Sequence, residues 1–206
     1  MTSPTTHNRL KEKRRVARAL ARIYPFAAVI WALAVVLFAK PLGPRAVVGA
    51  ALVVAGWGLT FWAAGYSGAA GRGRDDADLF FAGPYGWVRN PSHIGKVGLA
   101  LGLTLWAGAL WPWLAVATAA FLTWYYTVVQ RASEEDDERR LSWDYRAWRA
   151  TVPIWIPRLT RRPLLGTGRW RPGAAFKNSL PLLAAAAFVA AASALGAYVD
   201  GVARLR

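Results

Sequence analysis

GPYGWVRNPSHIGK, residues 83–96, leads directly into thirty-three residues without a formal charge, Val97 to Val129, and SEEDDERRLSWDYRAW, residues 133–148, follows almost at once. As one helix the uncharged run would be about 50 Å long at 1.5 Å per residue, against a hydrocarbon core of about 30 Å. It is too long for a single crossing and must fold back. Gly108 and Pro112 sit near its middle, where a reversal needs residues that stop a helix. The reading predicts a helical hairpin over 97–129 that returns Glu134 and Glu135 to the membrane face that Arg89 and His93 left. Two polar clusters distant in sequence then become neighbours.

Outward from the hairpin, the chain repeats the alternation of apolar span and polar connector. A first span is expected at Ile23–Ala39, with Pro25 near its start, where helical N–H groups have no partner in any case. The turn KPLGPR follows. A second span, Ala46–Tyr66, carries Gly49, Gly56, Gly58 and Gly65, small residues that let helices approach closely in lipid, and Gly49 and Gly56 share a face. After the hairpin, Leu141, Tyr145, Trp148 and Val152 fall at helical spacing, which predicts an interfacial helix ended by Pro153 and Pro157. Ser179–Val199 is the last span. The expected fold is an all-α integral membrane bundle of five transmembrane helices in a single domain. Its parts are a basic surface helix (1–22), two spans (23–66), a motif loop (67–96), the hairpin (97–129), a polar region (130–178) and the last span (179–199).

Composition agrees, with 55% hydrophobic residues and twelve tryptophans in 206. The net charge of +15 accompanies no nucleic-acid-binding module. Topology accounts for it instead. On the predicted layout 22 of the 26 Lys and Arg lie on one side, which makes the N-terminus cytoplasmic and the C-terminus external. The N-terminal run HNRLKEKRRVARALAR suits anionic lipid headgroups, and no nucleic-acid partner is expected. The absence of cysteine excludes disulfides and thiolate chemistry, and His7 and His93 alone leave little for a soft-metal site. Asp75, Asp76 and Asp78 form one acidic trio in a glycine-rich loop, which reads as solvated rather than as a magnesium site. No cleavable signal peptide is expected, because no small-residue cleavage site follows the first apolar segment.

Gly83, Pro84, Tyr85, Arg89, Pro91 and Gly95, then Glu134 and Glu135, then Tyr145, Val152, Pro153, Ile156 and Pro157 follow a pattern with a known counterpart. It resembles that of the membrane methyltransferases, the isoprenylcysteine carboxyl and phospholipid N-methyltransferases: G-P-Y-x-x-x-R-H-P-x-Y-x-G, a glutamate pair, Y-x-x-Y and V-P-x-x-I-P. The resemblance covers roughly residues 80–160, with Trp148 in place of the second aromatic. Asn90 stands where the family has histidine and His93 where it has tyrosine. The resemblance implies S-adenosylmethionine bound at the cytoplasmic ends of the hairpin helices and a lipophilic acceptor that reaches it from the bilayer. It implies cofactor contacts from Tyr85, Arg89, Pro91, Gly95, Gly98, Gly102, Glu134, Glu135, Tyr145 and Trp148, with Asn90 and His93 nearest the chemistry. The three glycines equally suit helix packing alone.

The residue types match that cofactor, whose sulfonium and ammonium call for carboxylates and whose carboxylate calls for a cation such as Arg89. Because the acidic pair is expected to border solvent, Gln at Glu134 or Glu135 should weaken cofactor binding and spare the fold. His93 has two readings: a hydrogen bond in place of the tyrosine hydroxyl, or a general base for a hydroxyl or amine acceptor. Two other function classes compete. An NADPH-dependent sterol- or enone-type reductase shares the V-P-x-x-I-P ending, but adjacent glutamates suit a sulfonium better than a dinucleotide phosphate. A non-enzymatic membrane scaffold would need no cofactor. The acceptor and the oligomeric state have no signature in the residues.

Overall fold

A computed structural model of the chain describes residues 4–40, 44–67, 82–140, 143–157 and 169–203. Among these residues every regular element is helical: α1 (Pro4–Leu37), α2 (Pro44–Ser67), one 3-10 turn (Gly83–Gly86), α3 (Pro91–Ala107), α4 (Trp113–Arg140), α5 (Trp143–Thr151) and α6 (Pro172–Ala203). Three helical stretches are long and apolar enough to cross a bilayer, Glu12–Leu37, Pro44–Tyr66 and Pro172–Val202. Large apolar side chains such as Phe26, Ile30, Val47, Val54, Phe188 and Leu195 point outward. In an apolar solvent that outside is ordinary; in water it would be a severe liability.

The expected break between a surface helix ending at residue 22 and a span starting at Ile23 is absent. α1 is one helix of 34 residues, and Pro25 lies inside it. Proline there removes one backbone bond and crowds the carbonyl four residues earlier. The helix formers on both sides, ARALAR before and FAAVIWALAVVL after, carry the helix through that single defect.

The hairpin is present and turns where the run predicted. α3 ends at Gly108, whose φ of 62° is left-handed and whose N–H is donated to the Thr104 carbonyl at 2.9 Å. Glycine takes that conformation without a Cβ penalty. α4 starts directly after Pro112. The Lys40 N–H donates to the Ala107 carbonyl at 2.6 Å, so the α1–α2 turn lies beside the hairpin reversal. At the opposite end the Arg171 N–H donates to the Gly65 carbonyl at 3.0 Å, bringing the start of α6 to the end of α2.

α2 and α3 form the tightest pair. Any Cβ on Gly49 would meet the backbone of Gly102 and Trp106, and one on Gly56 the backbone of Gly95 and Leu99. The core beside this seam gathers Val35 of α1, Leu99, Leu103 and Ala107 of α3, and Ala186 and Val189 of α6. A second cluster, Leu122, Tyr125 and Tyr126, lies higher on α4 and is capped by Tyr24 and Trp155.

Candidate functional site

The motif loop is fastened to the segment that follows α4. Gly83 has φ 58° and its missing Cβ makes room for the Tyr66 ring, so the GPYG turn sits directly on the end of α2. Trp148 of α5 is buried and donates its indole N–H to the Tyr85 carbonyl at 3.0 Å. The Arg89 N–H donates to the Pro153 carbonyl at 2.9 Å. Two stretches about 60 residues apart in sequence thus share backbone bonds, with Val88 and Val152 buried where they meet. Pro91 then opens α3, where a residue without an N–H costs nothing, and it is buried.

Glu134 is the charge at the centre of this junction. Its Oε2 accepts from Arg89 Nη1 at 2.8 Å and lies 3.3 Å from Arg149 Nε, while Gln130 donates to Oε1 at 3.4 Å. The side chain is 1% exposed, against 11% for Arg89 and 26% for Arg149. The expectation that this glutamate borders solvent is therefore corrected. The hairpin brings Glu134 of α4 against the motif loop, and Arg149 of α5 reaches it from the other side. The predicted meeting of Arg89 and Glu134 occurs, but as a direct ion pair.

Around that pair, three buried polar atoms have no hydrogen-bond partner among the described residues: Arg89 Nε, Asn90 Nδ2 and His93 Nδ1. Buried polar groups in folded proteins are nearly always satisfied, so three orphans within five residues mark a place built to contact something else. Asn90 is the N-cap of α3, yet its side chain makes no capping bond.

His93 faces a half-open cavity of about 890 Å3 lined by α1, α3, α4 and α6. Its ring stacks on Tyr126 at 4.3 Å, and Tyr126 shares a hydroxyl–hydroxyl hydrogen bond of 3.2 Å with Tyr24. Tyr24 in turn stacks on Tyr125 at 4.5 Å. Lys96, one turn along α3, holds its ammonium 5.9 Å from the Tyr126 ring centre. His93 precedes the uncharged run, and burial, with the Lys96 charge second, pushes its imidazole down to about 4. The ring is neutral at physiological pH. Below the Lys96 level the cavity is lined by aliphatic and aromatic side chains, among them Leu99, Leu103, Phe121 and Val189.

Arg89, Asn90, His93, Glu134 and Trp148 are thus gathered within one junction, together with Pro91 and the Tyr85 carbonyl. Gly95 and Gly102 are placed against α2, next to Thr60 and Val53, and Gly98 also faces Gly56. The side chains of Glu135 and Tyr145 lie outside the described residues, as do Leu141 and the loop with Asp75, Asp76 and Asp78. Sequence reasoning missed Arg149, Gln130, Lys96, Tyr24, Tyr125 and Tyr126. Gln130 had a signal, since it stands four residues before Glu134 and so shares its helix face. Tyr24 had none, being 102 residues from its partner.

The model of the phospholipid methyltransferase family matches residues 44–136. That span takes in α2, the motif loop, the hairpin and Glu134. α1 and the segment after Asp136, including Trp148 and Val152–Pro157, lie outside it. No curated protein and no solved structure matches the chain.

Proposed function

From the premise that residues 44–136 carry the phospholipid methyltransferase family's segment, a family of membrane methyltransferases, we propose that this chain is an S-adenosylmethionine-dependent methyltransferase of the cell membrane. Its acceptor is a lipid or lipophilic small molecule drawn from the bilayer. The observation that carries this reading is the run of three orphaned polar atoms at the start of α3, of which that of His93 belongs to a residue lining a large apolar cavity. α1, α2, the two hairpin helices and α6 then cross the membrane, with the N-terminus and the motif junction on the cytoplasmic side. The basic N-terminal half of α1 lies against anionic headgroups.

The orphaned atoms fit the cofactor. When bound, S-adenosylmethionine supplies a methyl carbon activated by its sulfonium. Arg89 Nε and Asn90 Nδ2 are donors suited to a carboxylate, and Arg89 is held in place by Glu134. Glu134 is already paired with two arginines, so its role is to orient them; Glu135 and Tyr145 stay candidates for the cationic end. The Trp148–Tyr85 bond and Pro91 fix the loop that presents Arg89. His93 Nδ1 is free at the head of the cavity, where a neutral imidazole hydrogen-bonds and orients the reacting groups. The apolar walls exclude water, and alignment of nucleophile and methyl carbon does most of the work.

S-adenosylhomocysteine should raise the melting temperature of the detergent-purified protein, by the equivalent of about 2.7 kcal/mol at a hundredfold excess over Kd. NADPH should not. A shift with NADPH alone would move the chain to the reductases, and no shift with either would leave a scaffold.

A second expectation concerns pH. With Tyr126 stacked on His93, and Lys96, Tyr24 and Tyr125 lining the same cavity, its imidazole is already neutral well below pH 6, and turnover should show no acid limb near 6.5. His93→Tyr should keep S-adenosylhomocysteine binding. A limb near 6.5 that vanishes in His93→Tyr, with turnover falling about 10²-fold, would make His93 a general base.

A further inference from the structure

The His93 imidazole is oriented by a neighbouring ring. Its Nδ1 is buried without a hydrogen-bond partner among the described residues, and the ring lies on Tyr126 at 4.3 Å with 12° between the planes. In a stacked pair one ring is only as fixed as the other. Tyr126 belongs to α4, and its ring also lies under the Lys96 ammonium at 5.9 Å, so two side chains of α3 rest against it. The torsion that tilts a tyrosine ring is broad, and the tilt is therefore set by what holds the far end. Here that is a hydroxyl–hydroxyl bond of 3.2 Å to Tyr24 of α1. Tyr24 in turn lies nearly flat on Tyr125, at 4.5 Å and 18°. α1 and α4 meet at a second polar point, where the Trp31 indole N–H donates to Thr118 Oγ1 at 3.0 Å. The two bonds stand about two helical turns apart on each helix, in opposite chain directions. Of the two, the Tyr24 bond ends on the ring under His93.

We propose that Tyr24 is a positioning residue: its hydroxyl holds the Tyr126 ring at one tilt and, through the stack, holds the His93 imidazole at the cavity. That the held imidazole faces the cofactor rests on the methyltransferase reading above. Tyr24 comes from α1, outside the matched segment 44–136, so the support is added to that segment by another part of the chain. The hydroxyl is the part of Tyr24 that does this. Phenylalanine at 24 would keep an aromatic face against Tyr125 and the packing of α1, but it would leave the Tyr126 hydroxyl without its partner in apolar surroundings. An unpaired buried hydroxyl is costly, and the ring relieves that cost by tilting toward another acceptor or toward water. His93, with no bond at Nδ1 to hold it, follows the ring. The Arg89–Glu134 pair takes no part in this chain of contacts.

The test is nuclear magnetic resonance of the full chain in phosphatidylcholine nanodiscs with ring-labelled histidine. The chain has two histidines, His7 and His93, told apart by a His7→Gln variant. In the native chain the His93 ring protons should lie upfield of those of His7, shielded by the Tyr126 ring. Tyr24→Phe should move them back toward the His7 positions, and so should Tyr126→Phe. The double variant should move them no further than either single one, because both remove the same bond. Thr118→Val removes the other α1–α4 bond and should leave the His93 signals in place. Native-like signals in Tyr24→Phe overturn the proposal. An equal change in Thr118→Val also overturns it, since His93 would then follow the general docking of α1. Should Tyr24→Phe fail to fold, Tyr126→Phe against Thr118→Val makes the same comparison. Tyr24→Phe should still bind S-adenosylhomocysteine, and saturating S-adenosylhomocysteine should move the His93 signals of the native chain. Binding without that movement overturns the placement of His93 at the cofactor. If S-adenosylhomocysteine fails to bind the native chain but the Tyr24-dependent change is seen, the transferase reading falls and the support of His93 remains.

Discussion

Replacing Glu134 by Gln should destabilise the protein by about 3–5 kcal/mol, because it leaves Arg89 buried and Arg149 half-buried without their shared counter-charge. The loss should fall toward the lower end, since Arg149 retains some solvent. Binding of S-adenosylhomocysteine should vanish with it, as Arg89 is no longer aimed. A combined Arg89→Met, Glu134→Met, Arg149→Met variant separates the two effects. Uncharged side chains in all three places restore much of the melting temperature, since apolar replacement of a buried ionic cluster is often neutral or better. Ligand binding stays lost. A Glu134→Gln protein that melts and binds like the native one would show that the carboxylate is dispensable to both.

The second large effect lies in the α2–α3 seam. Gly56→Val should cost about 1–3 kcal/mol, because its side chain would overlap the backbone of Gly95 and Leu99 and force the helices apart. That shift displaces the start of α3, which carries Asn90 and His93, so S-adenosylhomocysteine affinity should drop by about tenfold, the equivalent of 1.4 kcal/mol. Gly58 is the control two residues away. Nothing lies within 4 Å of a Cβ added there, and Gly58→Ala should gain about 0.5–1 kcal/mol from helix propensity. Thermal melts of the two variants side by side read the contrast, and equal melting temperatures would mean the helices are not in contact there.

Much of this was legible in the residues. The length of the uncharged run required a hairpin, Gly108 marked its turn, and the hairpin in turn required Arg89 and Glu134 to meet. What the residues do not carry is direction. Arg89 and Glu134 read equally as two separate ligand contacts or as partners, and only their 2.8 Å approach in the folded chain makes them partners. Gly49 and Gly56 formed one visible stripe and Gly95 and Gly102 another, each at a spacing of seven. That the stripes face each other depends on how the helices are rotated, which no local pattern encodes. Lys96 read as the last basic residue before a span, a topology marker, until the tyrosines of α1 and α4 closed around it.

Arg89 and Glu134, joined at 2.8 Å in the finished protein, are 45 residues apart along the chain. A ribosome adding about 5–20 residues per second delivers the glutamate several seconds after the arginine. Through that interval Arg89 lacks the carboxylate it pairs with in the finished protein, and it must wait in the aqueous or headgroup layer. The junction can close only once the whole hairpin has been made and α4 has emerged. Biogenesis therefore has a built-in order: a chain stalled before residue 134 can thread its first helices into the bilayer but cannot settle Arg89.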